Sequence, residues 1–404
     1  MNLKEFVALV KEGEEQVIRH RRHIHAHPEL SFEEEETAKY VESVLDELEI
    51  PHERIAKTGV VGRIETHRDG KTIMIRADMD ALPVEEETGL PFASTKAGVM
   101  HACGHDVHTA NLLGVARVLK TLEPKLTGRF ILLFQPAEEA GGGGREVVKE
   151  GLLHEVDMAI GLHVMPEPIG TIFLGDGAMS AYSDGFTIDV YGKAAHTSKP
   201  QEGIDALYVA AKLIDALYGL MAKGLDPKEV ATLSLGVIEG GTAPNIVPDH
   251  VTIKGMTRAL SLEARSALHD EISALVTSLS KAYGARGEFT YKPGYPAVYN
   301  DSTLFSQAEK FLEKHLSPLM KECRTGINEL ADPQLVTHPE PRLGAEDFGF
   351  YAQEVPSLFL WLGTGESYPQ HNGRFTVDES AIVLATCVLS LLALHLTDHK
   401  EVIA

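Results

Sequence analysis

The chain has 404 residues, 59 acidic and 37 basic, for a formal charge of −22, and it contains three cysteines. Such a surface repels phosphate backbones and no long basic run offsets the repulsion, which excludes nucleic acid as a partner. Three well-separated cysteines cannot staple a fold, and no stretch reaches the roughly 18–20 apolar residues of a membrane span; a cytoplasmic chain of two domains is expected.

The first thirty residues space apolar side chains among charges and read as an amphipathic helix, not a signal peptide. Ser31 and Glu34 have capping-box spacing, which predicts a helix to about Glu49 with the run Glu33–Glu36 at its positive end. From about Val60 to Leu174, apolar runs ("GVVGRIE", "KTIMIRADMD", "RFILLFQPAEE", "MAIGLHV") alternate with helical stretches such as Val107–Lys120. That is the pattern of an α/β fold, with a mostly parallel, largely buried sheet between helices. The stretch Asp184–Tyr291 changes character. "DGFTIDVYG" predicts a strand, and Gly203–Met221 a helix with Ile204, Leu207, Ala211, Ile214 and Tyr218 at helical spacing. Strands "VATLSLGVIEG" and "HVTIKGMTRA", a helix Leu262–Tyr283 and a strand "GEFTYKP" follow. The order β-α-β-β-α-β is that of a ferredoxin-like α+β unit. Alternation then resumes and ends in an apolar helix near Glu379–Leu396. The expected organisation is a catalytic domain, 1–181 and 294–404, interrupted by an inserted domain, 182–293.

Chemistry-bearing residues gather near the predicted strand ends. "MHACGHDVHT" puts Cys103 and His105 two apart, on one side of an extended segment and in reach of one ion. Thiolate and imidazole suit zinc, or cobalt, nickel and manganese by availability. "FQPAEEAGGGG" ends a strand with Glu138 and Glu139, whose side chains diverge, so that one can hold metal while its neighbour faces a substrate. The glycines behind them predict a tight turn. "GLHV" ends another strand with His163, and "PQHNGRF" sets His371 in a loop after "SLFLWLG". Each histidine alone has an ordinary reading as a satisfied or solvated side chain, and Cys-x-His alone is a weak signal. Together, at the ends of several strands, they are harder to dismiss. There is no His-Glu-x-x-His and no Gly-x-Ser-x-Gly, and "GKT" at Gly70–Thr72 has Glu65 where a phosphate loop needs its first glycine.

Read in order, "RRHIHAHPELSFEE", "RADMDALPVEE", "MHACGHDVHTANLLG", "FQPAEE", "GLHVMPEPIG", "AHTSKPQEGIDAL", "GTAPNIVP", "GAEDFGFYAQEVPSLFLWLGTG" and "HNGRF" carry a further signal. The chain resembles the aminoacylase–carboxypeptidase family of metal-dependent amidohydrolases, most nearly its branch of hippurate hydrolases, N-acyl-amino-acid deacylases and auxin-conjugate hydrolases. The resemblance runs from His25 to about Glu379. It implies two divalent ions per subunit (zinc, manganese, nickel or cobalt) on Cys103, His105, Glu139, His163 and His371. Cys103 stands where other branches have a bridging aspartate. Asp78 replaces a histidine ligand of those branches and is not counted as one. The resemblance gives Glu138 the general acid/base role and makes the inserted domain a lid and dimerisation domain. It places His196 on the motif whose histidine reaches a partner's active site, and Asn245 and Arg258 on positions that bind a substrate carboxylate. The implied activity is hydrolysis of acetyl-, benzoyl- or similar N-acyl amino acids by a homodimer. A dipeptidase or carboxypeptidase on the same metals is the alternative enzyme. A non-catalytic metal- or peptide-binding protein is the third reading, and it has no use for Glu138 beside a ligand. Ala195, Met256 and the pair Gly373–Arg374 depart from the usual motifs, which leaves acyl and amino-acid preference open.

Overall fold

The structure, a computed structural model, describes residues 1–223, 226, 228–323, 334–340 and 342–399. The chain divides into two compact units: Met1–Met179 with Tyr299–Glu340 and Asp347–Ala404, and Ser180–Val298 with Pro341–Glu346.

The larger unit is built on an eight-stranded sheet. Its order is His52–Ile55, Gly59–Glu65, Arg129–Gln135, Thr72–Asp78, Met158–Met165, Ser357–Gly363, Thr171–Phe173 and Gln334–Val336. The four strands from Arg129–Gln135 to Ser357–Gly363 run parallel to one another, and antiparallel pairings flank them on both sides. Strands Thr72–Asp78, Met158–Met165 and Ser357–Gly363 are buried along their whole length, as strands covered on both faces must be. Helices His105–Leu122 and Ala381–Leu396 are buried almost all round and pack together. Since the central strands share a direction, their carboxyl ends open along one edge, which is where sheets of this kind carry their sites. Arg76, 1% exposed in the middle of the sheet, donates to Asp78, Gln135 and Asp347 at 2.7–2.8 Å. Such pairing is what makes a buried guanidinium tolerable.

The helix after Ser31 spans Glu35–Glu47, but the capping box does not form. Glu29 accepts from the Glu36 and Thr37 N–H groups in its place, at 3.0 and 2.9 Å. Ser31 donates to Asp80. Glu34 turns inward, where its carboxylate accepts from Thr58 Oγ1 and the Ala137 N–H, and burial pushes its pKa up to about 7.

The smaller unit has a four-stranded antiparallel sheet in the order Ala231–Gly240, His250–Ala259, Tyr182–Tyr191, Arg286–Tyr295. Helices Ala206–Lys223 and Leu262–Ala282 pack on it, and with them the chain order is β-α-β-β-α-β as expected. Phe186, Ile188, Val190, Val251 and Ile253 meet Val209, Leu213, Leu217, Leu268 and Ile272 in its core. Of the apolar residues at helical spacing, Leu207, Ala211 and Tyr218 point outward, whereas Ile214 packs partly against the core. The buried stripe is Ala206, Val209, Ala210, Leu213 and Leu217, and Leu207 and Tyr218 are 45% and 50% exposed. The edge strand Ala231–Gly240 likewise exposes Val237 and Ile238. Among the described residues no helix is long and apolar enough to cross a membrane.

Candidate metal centre

The carboxyl ends of the parallel strands bring the five ligand-type residues together. Cys103, His105 and His163 offer three donor atoms within 4.8 Å of one another, and Cys103, Glu139 and His371 form a second such group. The two triads share the Cys103 sulfur. Cys103 and His105 do not achieve this from an extended segment. Gly104, at φ 93°, turns the chain between them, and His105 opens the helix His105–Leu122. A Cβ on Gly104 would lie 2.4 Å from the Val164 side chain, so both the turn and the close approach require glycine. Glu138 and Glu139 follow Ala137, itself left-handed at φ 54°, just past the strand Arg129–Gln135. His371 also sits in the left-handed region, and its N–H donates to the Ala102 carbonyl.

Hydrogen bonds around these residues fix which ring nitrogen His105 and His163 present. Asp80 Oδ1 lies 3.2 Å from His105 Nδ1, leaving Nε2 facing Asp78 Oδ2 at 3.6 Å and Glu139 Oε1 at 3.8 Å. His163 Nδ1 donates to the Val164 carbonyl at 2.7 Å, so Nε2 is the lone-pair nitrogen 3.5 Å from Cys103 Sγ. His371 Nε2 lies 3.5 Å from Glu139 Oε1. A partner on the far ring nitrogen is the usual arrangement behind a metal-binding histidine.

Two buried atoms here, His105 Nε2 and Glu139 Oε1, have no hydrogen-bond partner among the described residues. Buried polar atoms are seldom left so, and these two face each other. The protonation energetics agree. Burial, then the Glu139 carboxylate, pushes the Cys103 thiol well above its usual range, and burial likewise raises Glu139. Burial opposes a charge on His105, but Asp78 and the bond to Asp80 outweigh it and hold the ring well above the ordinary histidine range. A dication among the three reverses this pattern, favouring thiolate, carboxylate and neutral imidazole. The donor set therefore fits a dinuclear divalent-metal site of mixed thiolate, imidazole and carboxylate character.

Asp80 organises the centre, and sequence reasoning passed over it. Its two oxygens accept from the Glu138 N–H (3.0 Å), the Glu139 N–H (2.9 Å) and Ser31 Oγ (2.7 Å), besides facing His105. The stretch "RADMDALP", with a second carboxylate two residues after Asp78, was the available signal. Asp78 itself bonds Arg76 and His108, and His108 Nε2 accepts from the Val164 N–H beside His163. Glu138 is buried, with Oε1 accepting from the Asp347 N–H at 3.3 Å.

The residues matched to substrate contacts lie in the smaller unit. His196 is exposed on the short strand Ala195–His196, which pairs with Ile246–Val247. Its Nδ1 accepts from the Ser198 N–H at 3.1 Å, so Nε2 carries the proton of the neutral ring and faces outward as a donor. Asn245 is exposed in the adjoining loop, its carbonyl accepting from the Thr197 N–H. Arg258 is not with them. It is half-buried at the other end of the strand His250–Ala259, opposite Ser183, with Nη1 donating to the Leu343 carbonyl at 2.6 Å.

A family model described as peptidase family M20/M25/M40 matches residues 74–395, which spans every proposed ligand. The chain belongs to the M20/M25/M40 peptidase family. It is 38% identical over 390 residues to an N-acetyl-L-cysteine deacetylase of Bacillus subtilis, covering 96% of this chain and 90% of that one. It is 37% identical over 400 residues to thermostable carboxypeptidase 2 of Saccharolobus solfataricus, covering 96% and 97%. A crystal structure of a Bacillus subtilis dinuclear metal binding peptidase of the M20 family superposes with a TM-score of 0.83 at 35% identity, over 96% of this chain and 99% of that one. This M20 chain is a metal-dependent amidohydrolase with a dinuclear centre.

Proposed function

We propose that the enzyme hydrolyses N-acyl amino acids, acetyl and benzoyl compounds among them, to a carboxylic acid and a free amino acid. One observation carries this: two donor triads share the Cys103 sulfur while Glu138, on the same strand end, stands beside them. In this proposal Cys103, His105 and His163 would hold one divalent ion, and Cys103, Glu139 and His371 the other. Metal bound there would supply Lewis acidity and lower the pKa of water to about 7. Glu138 takes the proton of the attacking water and passes it to the amide nitrogen, so the leaving group departs as an amine. The Asp347 N–H holds Glu138 in place through Oε1, and Asp80 fixes the backbone of Glu138 and Glu139. His196 Nε2–H donates to the oxyanion of the tetrahedral intermediate. Arg258 and Asn245 receive the substrate carboxylate, for which a guanidinium is the fitting local cation in a chain of charge −22.

His196 and Arg258 cannot serve one small substrate from the same chain. Eight residues of strand separate Arg258 from His250, about 27 Å at about 3.4 Å each, and His196 lies beyond the His250 end. We therefore propose that the His196 and Arg258 serving one active site come from two copies of the chain, and that the protein works as a cytoplasmic homodimer. The exposed Leu207, Ala211 and Tyr218 and the edge strand Ala231–Gly240 would supply the surface for two-fold pairing. The near-equal identity to a carboxypeptidase keeps peptide substrates in the comparison. The deciding experiment is a panel of acetyl-, benzoyl- and aminoacyl-amino acids assayed with manganese, zinc, cobalt and nickel. We expect kcat/KM for the acyl compounds to exceed that for dipeptides by at least about 10-fold, one methylene-scale pocket difference or more. The reverse ranking would make the chain a peptidase, and metal-loaded protein that turns over nothing would make it a binding protein.

A further inference from the structure

Outside the metal centre, two of the three cysteines come together. Cys323 ends the helix Ser302–Cys323, and Cys387 lies inside the helix Ala381–Leu396. Their sulfurs are 3.9 Å apart, and both are free thiols. Nothing in the spacing of three cysteines announced this. The two sulfurs differ in access. Cys387 is completely buried in the core of the larger unit, and Cys323 is half-buried against that core. A disulfide needs about 2.05 Å between sulfurs, so roughly 1.9 Å of approach remains, and a side chain on the last residue of a helix can supply it by rotation. Lys11 adds a cation at the spot. Its Nζ donates to the Glu322 carbonyl, and its charge favours the Cys387 thiolate against the burial that raises that thiol.

We propose that Cys323 and Cys387 form a reversible intramolecular disulfide site that hydrogen peroxide oxidises. The half-buried Cys323 thiolate attacks one peroxide oxygen; the O–O bond breaks, Cys323 becomes a sulfenic acid, and the hydroxide released takes a proton to leave as water. Cys387 then gives up its proton and attacks the Cys323 sulfur. The S–O bond breaks, the S–S bond forms, and a second water departs. Two thiols lose two electrons in total, and peroxide gains them. A dithiol reductant runs the pair back to the free thiols. The resulting link ties the C-terminal helix to the helix Ser302–Cys323 within one unit, and it leaves Cys103 to the metal centre.

The test uses the metal-loaded protein treated with hydrogen peroxide, quenched, denatured and titrated for thiols. The count is expected to fall from three to one and to return to three with dithiothreitol. Peptide mapping under non-reducing conditions should show the Cys323 and Cys387 peptides joined, two hydrogens lighter than the separate peptides. In Cys323→Ser the two remaining thiols should survive the same exposure. Should that variant fail to fold, the joined peptide from the native chain decides by itself. Three thiols persisting through peroxide, oxidation of Cys103 before the pair, or a link between two chains would each overturn the proposal. None of these readouts uses turnover, so the outcome is independent of the substrate assignment.

Discussion

Replacing Asp80 by asparagine isolates the one side chain on which the metal centre's geometry converges. The carboxylate meets four donors: His105 Nδ1 and the Glu138 N–H on Oδ1, the Glu139 N–H and Ser31 Oγ on Oδ2. An asparagine carbonyl can serve the first pair, but its NH2 then faces the Glu139 N–H, which is left without an acceptor. An orphaned buried N–H costs about 1–3 kcal/mol, and turning the remaining bonds from charge-assisted to neutral costs about another 1 kcal/mol. The total, about 2–4 kcal/mol, divides between the fold and the placement of His105 and Glu139. Loss of a partner behind a metal ligand lowers metal affinity by about 10–100-fold, which accounts for about 1.4–2.7 kcal/mol of it. The assay is competition of the metal-depleted protein with a chromophoric chelator, read for each ion separately, with thermal unfolding alongside. Ser31→Ala removes only a hydroxyl donor and should lower metal affinity less than Asp80→Asn does, since such a bond is worth about 0.5–1.5 kcal/mol in total against about 2–4 kcal/mol for the carboxylate. If Asp80→Asn binds both ions as tightly as the native chain, Asp80 does not hold the ligands in the way the hydrogen bonds indicate.

Four further outcomes follow from the same geometry. Glu138→Gln should retain both ions and lose at least about 10²-fold in kcat, whereas Glu139→Gln should lose metal; an exchange of phenotypes between the two would invert their roles. Cys103→Asp should keep some metal and turnover while Cys103→Ala loses metal, and an acyl-thioester trapped on Cys103 would instead make it a nucleophile. His196→Ala and Glu138→Ala homodimers should each be nearly inactive. Co-refolded in equal amounts, they should recover roughly a quarter of native activity through mixed dimers with one intact site, and verified mixed dimers without activity would confine His196 to its own chain. His25, buried between Asp106 and Glu86, resists burial's pull and is held up to about 9, so its proton stabilises the fold. That contribution, about 3 kcal/mol at most, is complete below about pH 6.5 and fades as pH rises through 9; urea unfolding at pH 6 and 10 should show a steeper loss in the native chain than in His25→Gln.

Local signals in the sequence found the elements, because their causes are local. Alternation and helical spacing located the β-α-β-β-α-β unit and the strand ends that carry Glu138, Glu139 and His163. What they missed depends on partners far along the chain. Ser31 and Glu34 have the spacing of a cap, yet Glu34 is drawn 103 residues away to the Ala137 N–H and Glu29 caps in its place. Asp80 looks like one acid among 59 until the Glu138 and Glu139 N–H groups fold over it. Periodicity found the helix Ala206–Lys223 but not its orientation, since that helix carries two apolar stripes and only packing chooses which one is covered. Cys103 and His105 come together on a different backbone from the one their spacing suggested, because the left-handed Gly104 turns the chain where an extended segment is expected.

The larger unit is interrupted in sequence, and this sets an order of events on the ribosome. Cys103, His105 and His163 all leave the exit tunnel before the smaller unit begins at Ser180, so the first triad can close early. His371, which completes the second, follows His163 by 208 residues. At roughly 5–20 residues per second, about 10–40 s of synthesis separate them. Asp347, the second acidic partner of Arg76, arrives in the same late interval. The smaller unit, nearly all one continuous stretch, has that time to collapse on its own core. Under the proposed ligand assignment, a ribosome stalled between Ser180 and His371 would thus display a nascent chain that has all three residues of one triad and lacks His371 of the other.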